Sequence, residues 1–152
     1  MHAVVDGLGR PLVIALTPGQ AGDAPMMLPL LAELKVARPR GRPRSRPDAV
    51  LADKAYSSRT IRAHLRTRGI IAVIPEPDDQ KGHRKRRGSK GGRPVGYNAE
   101  AYRGRNVIER AFNKAKHWRG LATRYDKHAV VYRGALVLAA ALIWATDLGD
   151  TS

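Results

Sequence analysis

Within AYRGRNVIERAFNKAK, residues 101–116, a single carboxylate, Glu109, stands among Arg103, Arg105, Arg110, Lys114 and Lys116. Two chemistries suit an acid in that company. In one, Glu109 pairs with Arg105 a turn earlier, an exposed ion pair contributing about 0.3–0.5 kcal/mol. In the other, Glu109 is an oxygen ligand for a hard divalent cation, and the cations around it receive phosphate. The second reading needs another carboxylate, and Asp53 is the candidate: it closes the apolar run AVLA, and the carboxyl end of a parallel strand is where α/β sheets place ligand groups. Asp53 also has a structural reading, as a partner of Lys54 or Lys127 or as a cap on the next turn. Together the two acids could hold Mg²⁺ or Mn²⁺, which keep waters and substrate phosphates in their shells, so phosphodiester chemistry follows.

Those residues must be held by a frame. On a continuous helix Tyr102, Arg105, Glu109, Phe112 and Lys116 fall on one stripe about 80° wide. Val107, Ile108, Ala111, Ala115 and Trp118 form an apolar face beside it, so this helix, capped by Asn98 and running to Gly120, has a core side and a polar seam. Upstream, Ala3 to Val5 and Leu12 to Leu16 flank an Asp-Gly turn and predict an antiparallel hairpin. Asp23 is placed to cap a helix whose Met27, Leu30, Leu31 and Leu34 recur at helical spacing, and which should pack on the hairpin. DAVLADKAY, then RTIRAHLRTR capped by Ser57 or Ser58 and closed by Gly69, then IIAVIP, read as strand, helix, strand with a parallel pairing. Asp126 is positioned to cap a last helix ending at Gly149, whose uncharged run Gly134 to Thr146 is 13 residues. A spanning helix needs roughly 20, so this run reads as a buried core helix and no membrane partner is expected.

The formal charge is +15, and twelve of those charges lie in two acid-free tracts: five Arg in Val36 to Pro47 and seven Lys or Arg in Lys81 to Arg93. Arg outnumbers Lys by 20 to 8, which favours a partner accepting paired hydrogen bonds, as phosphate does. Nucleic acid is the first candidate, bound through Arg40, Arg42, Arg84, Lys85, Arg86 and Arg87. Arg40-Gly41-Arg42-Pro43 resembles the core of an AT-hook, and a basic loop touching backbone phosphate is the plainer account of the same residues. From about 78 to 97 the chain is too polar to fold alone and reads as a loop or an insertion. Cysteine is absent, which rules out a disulfide framework and suits the cytoplasm. His2, His64, His83, His117 and His128 show no paired metal-ligand spacing, and neither a phosphate-cradling glycine loop nor a nucleophile elbow is present.

AVLADKAYSSRTIRAHLRTRGIIAVIPEP, KRRGSKGGRP and AYRGRNVIERAFNKAKHWRGLATRYDK together resemble the C-terminal part of a bacterial insertion-sequence transposase of the DDE class, in insertion-sequence family five. The resemblance runs from His2 to Leu148, and Tyr102, Arg105, Glu109 and Lys116 reproduce the family spacing. It implies an α/β fold, a ribonuclease-H-like mixed sheet flanked by helices, as one domain over residues 1–152 with basic loops at about 36–47 and 78–97. It also implies a site of two aspartates and a glutamate holding two Mg²⁺ or Mn²⁺ ions, with Asp53 as the second aspartate and Glu109 as the glutamate. Arg105 and Lys116 would then contact phosphate beside the scissile bond, and Tyr102 the DNA backbone. The family's first aspartate precedes the segment matching HAVVDGLGRPL, so the chain is expected to lack the first central strand and to expose a sheet edge and apolar surface. Asp6 does not replace it, because Asp6-Gly7 fits a hairpin turn. The implied partners are DNA, as element ends and target, an N-terminal transposase segment or reading frame, and further copies of the complete protein. Alone, the chain is expected neither to cleave nor to join DNA; the alternative is a catalytically inactive DNA-binding remnant.

Overall fold

The computed structural model describes residues 1–18, 20, 22–123 and 128–149, so the expected cap Asp126 and the possible Asp53 partner Lys127 lie outside the described residues. Two compact units share the chain, one made of Met1–Ala21, Pro29–Ser45 and Asn106–Ser152, the other of Gly22–Leu28 and Arg46–Arg105.

In the first unit, β1 (His2–Val5) and β2 (Pro11–Ala15) pair antiparallel, with His2 opposite Ala15, Val4 opposite Val13 and an irregularity before Val5. The turn between them is built by Asp6. Its Oδ1 accepts the Leu8 and Arg10 amides at 2.9 Å each, and its Oδ2 takes Arg10 Nε at 2.7 Å and Nη2 at 2.6 Å. Gly9 completes the turn at φ +88°, a left-handed conformation that disfavours any side chain. The helices packed on this hairpin are α5 (Asn106–Lys116) and α7 (Ala129–Gly149). Trp144 fastens α7 by donating Nε1–H to the Pro11 carbonyl at 2.8 Å, while the Arg10 guanidinium lies 4.2 Å from the Trp144 ring centroid. Leu121, from the short α6 (Arg119–Thr123), joins Leu136 and Ala139 in a buried cluster.

The last helix departs from the expected buried core helix. It is 21 residues long, running past the uncharged stretch at both ends to include Arg133 and Asp147, and only one face packs, through Leu136, Ala139 and Ile143. Val130 is 84% exposed and Leu138 62%, with Val131, Val137 and Leu142 also open. By length and composition α7 is long and apolar enough to cross a membrane.

The helix α1 (Met27–Glu33) buries Met27, Leu30 and Leu31, and Leu34 just beyond it, as their spacing predicts. Asp23 does not cap it through its side chain; a 3₁₀ turn, Ala24–Met26, intervenes, and the Asp23 carbonyl accepts the Met26 amide at 3.1 Å. Pro25 inside that turn sets its tight start.

In the second unit, β3 (Ala49–Leu51) and β4 (Ile71–Val73) are parallel, with Leu51 opposite Val73. The crossover is α2 (Arg59–Thr67). Ser58 caps it, its hydroxyl accepting the Ile61 amide at 3.1 Å, and Ile61 and Leu65 make its buried stripe. Gly69, at φ +64°, donates its amide to the Arg66 carbonyl, and Ile70 donates to Leu65 at 2.8 Å, which satisfies two terminal carbonyls and returns the chain into β4. Thus the described strands form one antiparallel and one parallel pair, not a single continuous mixed sheet.

Two further expectations are corrected. The tract from 78 to 97 is not a loop throughout: Asp78–Arg86 forms α3, followed by a 3₁₀ turn, Gly88–Gly91. Asp78 and Asp79 in its first turn and Lys85 and Arg86 in its last match the helix macrodipole, and side-chain anchors supply what apolar burial does not. The long helix from Asn98 is also broken. Asn98 does cap, its Oδ1 accepting the Ala101 amide at 2.9 Å, but over α4 (Ala99–Arg103) alone. At Gly104 and Arg105 the amides bond three residues back, to Ala101 and Tyr102, and the regular spiral stops before α5 begins. Gly120 is no terminator either; it lies inside α6.

Candidate active site

Asp53 stands two residues past β3, where Ala52 is buried and its amide reaches the Val73 carbonyl at 3.4 Å. Its backbone is extended, at φ −67° and ψ 161°, and its side chain is exposed. Although it heads a 3₁₀ turn, Lys54–Tyr56, its carboxylate makes no capping hydrogen bond; its carbonyl accepts the Tyr56 amide instead. That removes the capping account. Burial first, and then the negative charges of Asp23 and Asp53, push the Tyr56 phenol above its ordinary range. Asp23 is thus a carboxylate whose relation to this turn sequence spacing did not reveal, since the two are thirty residues apart along the chain.

In the same unit the Tyr102 ring centroid lies 5.5 Å from that of Tyr97 and 5.6 Å from the Arg105 guanidinium carbon. The contact places a planar cation of the kind that recognises phosphate over the face of Tyr102. Glu109 and Lys116 belong to the other unit, both exposed on α5. Seven residues apart, they share one face, about 10 Å apart along the axis. Glu109 in the first turn and Lys114 and Lys116 in the last also complement the helix macrodipole, so the structural reading of these charges stays beside the catalytic one. The break at Gly104 and Arg105 means that the single stripe from Tyr102 to Lys116 is divided between two elements. Trp118, read as part of the apolar face, lies beyond the end of α5 and is 38% exposed.

The basic residues divide into two kinds. Arg84 is a structural cation: its Nη1 donates to both carboxylate oxygens of Glu76, which holds the Arg84 guanidinium above its already high range. Lys85, Arg86 and Arg87 are exposed. Arg40 and Arg42 are exposed at the tip of a loop closed by an antiparallel bridge in which Val36 and Arg44 exchange amide hydrogen bonds of 2.8 Å. Gly41 there is at φ +85°, so the chain turns at the position where an AT-hook would be extended. Asp6 is occupied by its turn. Partial burial raises its carboxyl, but hydrogen bonds from the Arg10 backbone and side chain and the Leu8 amide outweigh this and hold it below its ordinary value.

Asp53 and Glu109 offer the oxygen donors that Mg²⁺ or Mn²⁺ prefers, and the Asp53 carboxylate is not consumed by the turn that follows it. Each therefore suits one ligand position. Among the described residues no three acidic or histidine side chains are grouped to hold a metal ion.

A family model described as a transposase DDE domain matches residues 1–144. The chain is 33% identical over 148 residues to a Brucella ovis protein described as a transposase for insertion sequence element IS6501, covering 95% of each. It is 35% identical over 147 residues to a Burkholderia cepacia protein described as a transposase for insertion sequence element IS402, covering 95% of this chain and 62% of that protein. No solved structure matches.

Proposed function

The chain belongs to the DDE transposase family, and from that premise we propose that it contributes the second aspartate and the glutamate of a site that cuts and joins DNA during movement of an insertion sequence. The observation that carries this reading is the family match combined with Asp53, an exposed carboxylate at the C-terminal end of a parallel strand that the following turn does not use. Asp53 and Glu109 are the proposed metal ligands. Bound divalent ions would supply activation of the attacking water or 3′-hydroxyl and stabilisation of the leaving 3′ oxygen. Arg105, oriented on the Tyr102 ring, and Lys116, on the Glu109 face of α5, would hold the phosphates that flank the reacting bond. Tyr102 would pack on the DNA backbone.

The third carboxylate, and the central strand of a ribonuclease-H-like mixed sheet, would come from an N-terminal transposase segment, and joining two element ends would require at least two copies. The separation of the described strands into two pairs and the open apolar surface of α7 support that completion. Action on chromosomal DNA in the cytoplasm accords with the charge of +15. The test is direct. With Mg²⁺ or Mn²⁺ the purified chain leaves labelled element-end duplexes uncut; supplied with an aspartate-bearing N-terminal segment it nicks and joins them, and Asp53→Asn or Glu109→Gln abolishes both steps. Strand transfer by the chain alone, or undiminished activity of Asp53→Asn in the completed protein, refutes the assignment.

A further inference from the structure

The basic helix α3 is not an independent appendage. Gln80, in its first turn, donates Nε2–H to the Ser57 carbonyl at 2.8 Å and accepts the Ser57 hydroxyl at 3.3 Å. Arg62, from α2, donates to the same Ser57 hydroxyl at 2.9 Å and to the Ile74 carbonyl at 2.7 Å. Ser57 is 4% exposed, and it ends the turn that begins at Asp53. One turn further along α3, Arg84 grips Glu76, just after β4. Gly91 then folds back on Arg84, where a Cβ would stand 2.8 Å from the Arg84 Cγ. At 100° per residue Gln80 and Arg84 share one face of α3, and Lys85 and Arg86 project from the other side.

A surface charge run needs no such anchoring. Two polar links on one face tie α3 to the Asp53 turn and to the end of β4, and the cations on the other face stay open. We propose that Ser57, Gln80, Arg62 and the Glu76–Arg84 pair are positioning residues that fix α3 relative to Asp53, so that a duplex whose phosphates are bound by Lys85 and Arg86 is presented to the Asp53 carboxylate. The inference deepens the DNA-cutting reading and rests on it. It also separates the tract's cations by role, with Arg84 serving the protein and its neighbours serving the DNA.

The absence of cysteine permits a clean test on the intact chain. Duplex binding is followed by fluorescence anisotropy across a salt series, and Lys85→Gln and Arg86→Gln are each expected to flatten the log–log salt slope by about 0.9, as loss of one phosphate contact does. A photocrosslinker is then placed on Asp53→Cys or on Arg86→Cys, with duplex at saturation. Adding Gln80→Ala, a change at an exposed side chain, should lower crosslinking from position 53 several-fold and leave crosslinking from position 86 within twofold. Undiminished crosslinking from position 53, an equal fall at both positions, or a salt slope unmoved by Lys85→Gln with Arg86→Gln overturns the proposal. A wild-type chain that fails to bind duplex at low salt overturns the DNA-binding reading itself.

Discussion

Replacing Asp6 separates a turn-building carboxylate from a metal ligand, the two roles open to an acid near the start of this chain. The Asp6 carboxylate accepts two backbone amides at 2.9 Å and the Arg10 guanidinium at 2.6–2.7 Å, with side-chain exposures of 20% for Asp6 and 22% for Arg10. Hydrogen bonds to a charged group contribute about 1.5–3 kcal/mol when buried, and partial exposure reduces each, so Asp6→Ala should cost about 2–3 kcal/mol. For a chain of this length that lowers Tm by roughly 5–10 °C. Asp6→Asn retains an acceptor for the amides, loses the ion pair, and should cost about 1 kcal/mol. The folded carboxyl is held below its ordinary value, so its contribution is complete above the unfolded value of about 4 and is lost as pH falls through the lower folded value. Urea melts of wild type and Asp6→Ala at several pH values should therefore converge under acid conditions. Under the proposed completion by an N-terminal segment, Asp6→Asn should retain strand transfer. Unchanged stability in Asp6→Ala at pH 7, or a difference that widens on acidification, refutes the turn account. Loss of strand transfer in a fully folded Asp6→Asn would make Asp6 a ligand after all.

Other perturbations test neighbouring parts of the frame. Ser58→Ala should destabilise the chain by about 1 kcal/mol through loss of the α2 cap, and Ser58→Asp should restore most of it, read by urea midpoints at constant slope. Leu65→Ala, at a position with no exposed surface, should cost about 2–5 kcal/mol in the same assay; a cost below 1 kcal/mol would mean that α2 is not packed as described. Asp53→Asn should leave stability within about 0.5 kcal/mol, because the carboxylate caps nothing, and should lower the Tyr56 phenol toward its ordinary value by removing one of two nearby negative charges. Alkaline ultraviolet titration measures that shift, and a phenol that does not move would separate Tyr56 from Asp53.

Local rules read much of the secondary structure correctly. Alternating apolar runs around an Asp-Gly turn produced the hairpin, and Ser58 and Gly69 bounded α2 where capping chemistry put them. The same rules failed where side chains distant in sequence decide the outcome. The helix at Asp78–Arg86 has almost no apolar face, and its anchors, Ser57 and Glu76, belong to other elements, so composition alone reads it as loop. The break at Gly104 and Arg105 is likewise invisible to periodicity, which assigns all residues from Tyr102 to Lys116 to one wheel.

What the sequence determined by itself is the family and the signs and spacing of the charges, because these depend on residue types at fixed separations. Tertiary structure decided which charges are available for chemistry. Asp6 and Arg84 are engaged by neighbours four and eight residues away, whereas the Asp53 carboxylate is left unused by its own turn, although all three look alike as charged residues in a string. The physical reason is that a charged group binds an outside ligand only when folding has not already supplied its partner, and partners are chosen by distance in space.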